Sequence, residues 1–126
     1  MSKCILIADD SDRIRVNLRR FLEENPDFEV CGEAVDGVDA VEKATRLAPD
    51  LVILDLAMPR MNGLEAAHQI KSMPSHTPVI LFTMHSEALQ FLNVADAGID
   101  AVVTKTNLAA LKQNIDNLLA EDPSGD

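Results

Sequence analysis

The chain contains no tryptophan and no tyrosine, and only four phenylalanines, two cysteines and five glycines among its 126 residues. Without Trp or Tyr it absorbs almost nothing at 280 nm, so optical assays based on either ring are excluded. Positive charge is also scarce. Eleven Lys and Arg stand against 21 Asp and Glu, a net charge of −10, which argues against direct nucleic-acid binding by this domain because phosphate neutralisation needs a basic surface. No apolar run approaches the roughly 20 residues that a membrane helix needs, so no membrane partner is expected. Met1-Ser2-Lys3 leads straight into a strand-like segment without a small-residue cleavage site, which points away from secretion and to a cytoplasmic location. Cys4 and Cys31 form no C-x-x-C pair and are expected to be buried free thiols in a reducing cytosol. His68, His76 and His85 lack zinc-ligand spacing.

What is present is ordinary for one globular domain: 47% apolar and 25% charged residues, over a length that holds one hydrophobic core. Short apolar runs alternate five times with helix-period segments, which predicts a parallel sheet covered by helices. The strand-like runs are Cys4–Ala8, a weaker Phe28–Cys31, Leu51–Leu54, Pro78–Phe82 and Ala101–Thr104. Phe28–Cys31 mixes charge with apolar residues and is expected at the sheet edge. Helices are predicted over about Asp12–Glu24, Val38–Leu47, Leu64–Ser72 and Ser86–Ala97, with a last one after the cap Asn107. Gly98 suits the left-handed position that ends the fourth of these. Residues 1–121 form the domain, and the breaker-rich 122–126 form a polar tail or the start of a linker.

Ligands of an open parallel sheet bind beyond the carboxyl ends of its strands. Those ends carry Asp9 and Asp10, then Asp55, Thr83 and Lys105. Converging carboxylates repel one another, and a hard dication with oxygen ligands, such as Mg²⁺, relieves that repulsion. One carboxylate can then attack phosphorus as a nucleophile, while the ammonium and hydroxyl neutralise charge on the transferring group. Taken singly, Asp9-Asp10 suits a helix start, Asp55 a turn, Thr83 a strand and Lys105 a solvated rim. Five suitable groups at four strand ends is more than caps and rims require.

With these residues in place, the sequence resembles the receiver domain of bacterial two-component response regulators over about residues 3–120. The resemblance is carried by Ile5-Leu6-Ile7-Ala8-Asp9-Asp10, by Asp55-Leu56-Ala57-Met58-Pro59 with Gly63 eight residues beyond the Asp, by Thr83, and by Gly98-Ile99-Asp100 leading to Lys105. It implies a flavodoxin-like, doubly wound five-stranded parallel sheet of order 2-1-3-4-5 with five helices. It further implies that Asp55 accepts a phosphoryl group, and that Asp10, Asp55 and the Ala57 carbonyl hold Mg²⁺, with Asp9 acting through water. Lys105 would contact the phosphoryl group and Thr83 would close on it. The implied donors are a histidine kinase, a histidine phosphotransfer protein or small acyl phosphates. Such a domain is not an enzyme in its own right, although it assists its own phosphorylation and dephosphorylation.

The sequence departs from that pattern at Val102, where an aromatic residue is usual, at Thr106, where Pro is common, and at Met84, where a small residue is usual. Leu89, Phe91, Leu92 and Val94 make the predicted helix 86–97 apolar, which would suit a homodimer or partner site. Arg13, Arg15, Arg19 and Arg20 form a basic face expected to dock the donor. A phosphatase of the haloacid dehalogenase type is the rival reading, but it needs an Asp where Ala57 stands. Flavin or dinucleotide binding lacks a phosphate loop after the first strand, and a pseudo-receiver does not need the full acidic set.

Overall fold

The computed structural model describes residues 2–84 and 98–120. In chain order its elements are β1 (Lys3–Ala8), α1 (Asp12–Glu23), β2 (Phe28–Ala34), α2 (Gly37–Leu47), β3 (Leu51–Leu54), α3 (Gly63–Lys71), β4 (Val79–Thr83), β5 (Ala101–Thr104) and α4 (Leu108–Leu119). All four helices among the described residues start at a residue whose short polar side chain accepts an amide hydrogen bond of the first turn. Ser11 accepts from Ile14, Asp36 from Asp39, Asn62 from Glu65 and Asn107 from Ala110.

The strands pair in parallel in the order β2-β1-β3-β4-β5. Every residue of β3 and β4 is buried, as strands covered on both faces must be. Side-chain alternation divides the core in two. Leu6, Ala8, Val52, Leu54, Val79 and Leu81 face α2 and α3, whose Ala40, Ala44, Ala66 and Ala67 are small enough for close approach. Ile5, Ile7, Ile53, Ile80 and Phe82 face α1 and α4 through Leu18, Leu22, Leu111 and Ile115. Truncating one such Ile or Leu to Ala costs about 2–5 kcal/mol. Because β2 lies on one side of β1 and β3 on the other, the chain reverses direction across the sheet there. The crevice so formed opens at the carboxyl ends of β1 and β3.

Two features differ from the sequence reading. β2 continues to Ala34, three residues past Cys31, held by pairing with β1 despite its charges. Cys4 and Cys31 are not free thiols but are joined in a disulfide, with Cα atoms 5.4 Å apart. The cause is a bulge: Ile5 pairs with Val30 and Leu6 with Gly32, which leaves Cys31 as the extra residue beside β1. Four helices are present among the described residues. The helix expected over 86–97, and the homodimer assigned to it, lie outside those residues, as does the expected boundary at 121/122. Gly98 has a φ of +79°, the left-handed conformation expected of it.

Candidate functional site

β1 and β3 end side by side. The Asp55 amide donates to the Ala8 carbonyl at 2.9 Å, which sets Asp55 level with the Asp9-Asp10 turn. The Asp9 amide is in turn tied to Ala34 at the end of β2, at 3.0 Å. Carboxylate oxygens of Asp9, Asp10 and Asp55 lie within 4.8 Å of one another. Asp9 and Asp55 are buried and Asp10 is exposed, so the cluster opens to solvent on the Asp10 side.

Lys105 reaches this cluster from the end of β5. Its amide donates to the Thr83 carbonyl at 2.9 Å, which continues the β4–β5 ladder one residue beyond the strand. Its Nζ donates to Asp9 Oδ2 at 2.6 Å and lies 3.2 Å from Asp55 Oδ1. Thr83 is buried at the end of β4 and pairs in register with Thr104. The four strand ends foreseen in the sequence therefore do meet at one rim, and the ammonium bridges two of the three carboxylates.

The electrostatics follow from burial. Removal from water raises the pKa of Asp55 above the usual carboxylate range, and the charges of Asp9 and Asp10 push it the same way against the opposing pull of Lys105. Burial lowers the pKa of Lys105, but its hydrogen bond to Asp9 and the charges of Asp55 and Asp9 outweigh this and leave it raised. Three carboxylates share one cation, so the pocket carries excess negative charge. An all-oxygen donor set with one exposed member fits Mg²⁺, which keeps several waters and takes few protein ligands. Ala57, two residues past Asp55, lies exposed in the loop that leaves β3.

The basic face on α1 is not the one expected. Arg15 is buried, and its Nη1 donates to the Asp9 carbonyl at 2.6 Å while Nε donates to Glu33 at 3.0 Å. It also pairs with Asp12. Arg19 pairs with Glu33 at 2.6 Å, so Arg13 and Arg20 are the exposed members of the set. Sequence reasoning also missed Arg60, which joins Asp36 at 2.8 Å across the loop beyond Asp55. Its only sequence signal is a large residue after the single proline of a turn.

Fold and site together define a doubly wound α/β domain with an acidic, lysine-bridged pocket at its topological switch point. The chain belongs to the response regulator receiver family, the phosphoacceptor domains of two-component signalling, whose description matches it over residues 5–116. It is 35% identical over 106 residues to response regulator protein VraR of Staphylococcus saprophyticus, a match covering 84% of this chain and 51% of that protein. The chain thus spans about half the length of the curated relatives it matches. A LuxR-family two-component response regulator from Aurantimonas superposes with a TM-score of 0.85 at 32% identity, covering 95% of this chain and 86% of that one. Response regulator protein TrrA from Thermotoga maritima, solved in complex with Mg(2+)-BeF, superposes at 0.83 with 36% identity, covering 93% and 99%.

Proposed function

We propose that Asp55 is the phosphoacceptor of this domain, working with Lys105 and Thr83 and with Mg²⁺ held by Asp10, Asp55 and the Ala57 carbonyl, Asp9 acting through water. The observation that carries the reading is the Lys105 ammonium, bonded to Asp9 and 3.2 Å from Asp55 at the sheet's switch point. An Asp55 oxygen attacks phosphorus, the P–N bond of a phosphohistidine donor breaks, and the imidazole nitrogen keeps the electron pair. Paired with the Lys105 ammonium, the Asp55 carboxylate attacks without a general base. Lys105 contacts an equatorial oxygen of the transferring group, and the Thr83 hydroxyl closes on another. Bound Mg²⁺ supplies neutralisation of the charge on the phosphoryl oxygens. Hydrolysis reverses the modification when water attacks the acyl phosphate and inorganic phosphate leaves. The domain assists both steps on itself rather than turning over a separate substrate.

The donor is a histidine kinase or a histidine phosphotransfer protein in the cytoplasm, docking beside Arg13 and Arg20. In a reducing cytosol Cys4 and Cys31 would stand as adjacent thiols. Relatives of twice the length support an output segment beyond this domain, through which its phosphorylation would be read. Association of two copies through residues 86–97 belongs to the same reading. Acetyl phosphate with Mg²⁺ is expected to add one phosphoryl group, seen by mass spectrometry as a hydroxylamine-labile increase. Asp55→Asn is expected to abolish it, and full labelling of that variant would sink the assignment.

A further inference from the structure

The loop that leaves Asp55 is fixed at two points. At its base, the Gly63 amide donates to the Leu56 carbonyl at 2.8 Å. A side chain at Gly63 would overlap the Asp55 carbonyl oxygen. At its far end the chain turns sharply, with the Met61 amide bonded to the Pro59 carbonyl at 2.7 Å, and Arg60 takes a φ of +64°. That conformation disfavours any residue with a Cβ, and an arginine has no local hydrogen bond to offset it as Asn or Asp would.

What holds Arg60 there is Asp36, the cap of α2. Arg60 Nε donates to Asp36 Oδ2 at 2.8 Å and Nη2 to Oδ1 at 3.1 Å, a two-pronged grip on a side chain that is only 9% exposed. The Asp36 carboxylate is itself fixed by the Asp39 amide at 2.8 Å. The next residue, Gly37, lies so close to Met61 that a Cβ would overlap the Met61 carbonyl oxygen. The cap of one helix and the turn before another are thus locked across the loop that carries Ala57.

We propose that Arg60 and Asp36 are positioning residues for the cation of the acidic pocket. Their bidentate pair holds the turn beyond Asp55 in its left-handed form and so presets the Ala57 peptide, an inference that rests on the phosphoacceptor reading above. An exposed ion pair normally contributes little. Here it compensates a backbone conformation that the residue would otherwise leave, and the effect therefore falls on the loop.

The test separates the guanidinium from the backbone. Arg60→Ala loses the grip and keeps the Cβ; Arg60→Gly loses the grip but adopts the turn freely; Asp36→Asn keeps a helix cap and loses the anion. Isothermal titration with Mg²⁺ is expected to show affinity on the order of three- to tenfold weaker in Arg60→Ala and Asp36→Asn, because the competent loop is less populated. Arg60→Gly is expected to return to within about twofold of the parent. Hydrogen exchange without Mg²⁺ is expected to be faster at the Met61 and Gly63 amides of the first two variants, with the rest of the sheet unchanged. Parent-like Mg²⁺ affinity in Arg60→Ala and Asp36→Asn overturns the proposal, as does an Arg60→Gly variant as weak as Arg60→Ala. Full acetyl phosphate labelling of Asp55→Asn refutes the phosphoacceptor reading instead, and a parent chain that binds no Mg²⁺ overturns both.

Discussion

Removing the charge of Lys105 is the most informative perturbation the site offers. The Lys105 side chain is 8% exposed, and those of Asp9 and Asp55 are 5% and 9% exposed. In Lys105→Met the two carboxylates face each other with little water and no cation. At the 4.8 Å that bounds their separation, two unit charges repel by about 3.5 kcal/mol for an effective dielectric constant of ~20. Breaking a buried pair by removing one partner typically costs about 3–5 kcal/mol, so the two figures agree. A loss of that size is a large share of a domain's total stability and lowers its melting temperature by on the order of 10 °C. The loss must also depend on pH. Asp55 already has a raised pKa in the folded protein, so its protonation favours the folded state. That contribution is complete below its unfolded value near 3.8 and disappears as pH rises through the folded one. Without Lys105 the folded value climbs further, and the window of recovery extends upward. Urea unfolding followed by far-ultraviolet circular dichroism is expected to show the full deficit at pH 8, a smaller one at pH 5, and reversal by millimolar Mg²⁺. An equal deficit at both pH values, untouched by Mg²⁺, would refute the electrostatic account and leave only lost packing.

Four further outcomes follow from the same geometry. Arg15→Met is expected to cost about 3 kcal/mol or more in urea unfolding, because Glu33 and the Asp9 carbonyl lose a buried cation. Arg13→Glu with Arg20→Glu should stay within about 0.5 kcal/mol of the parent yet slow phosphotransfer from the cognate kinase in a salt-dependent way, with acetyl phosphate labelling intact. Gly63→Ala should destabilise by about 2 kcal/mol or more and impair labelling, since the loop must move away from the Asp55 carbonyl; parent-like labelling would contradict the tight seat. Val102 is 37% exposed on an edge strand, so Val102→Ala should shift stability by no more than about 0.5 kcal/mol and leave labelling unchanged.

The strand ends were legible because each site residue stands just past an apolar run. Asp9, Asp55 and Lys105 follow Ile5–Ala8, Leu51–Leu54 and Ala101–Thr104, while Thr83 closes Val79–Thr83. A parallel sheet must set the carboxyl ends of adjacent strands level, so alternation of strands and helices was enough to predict the convergence. The cap Asn107 and the left-handed Gly98 are local devices of the same kind, decided within a few residues of chain. What the sequence alone could not reveal depends on neighbours distant along it. The bulge that sets Cys31 beside Cys4 exists only once β2 pairs with β1. Arg15 reads as one more cation on a basic helix until Glu33 and the Asp9 carbonyl surround it. Arg60 reads as an ordinary turn residue, and Asp36, 24 positions earlier, is what holds it at positive φ. Periodicity records which face of an element is buried, whereas the partner of a polar group on that face is chosen by packing between elements, and tertiary structure alone decides it.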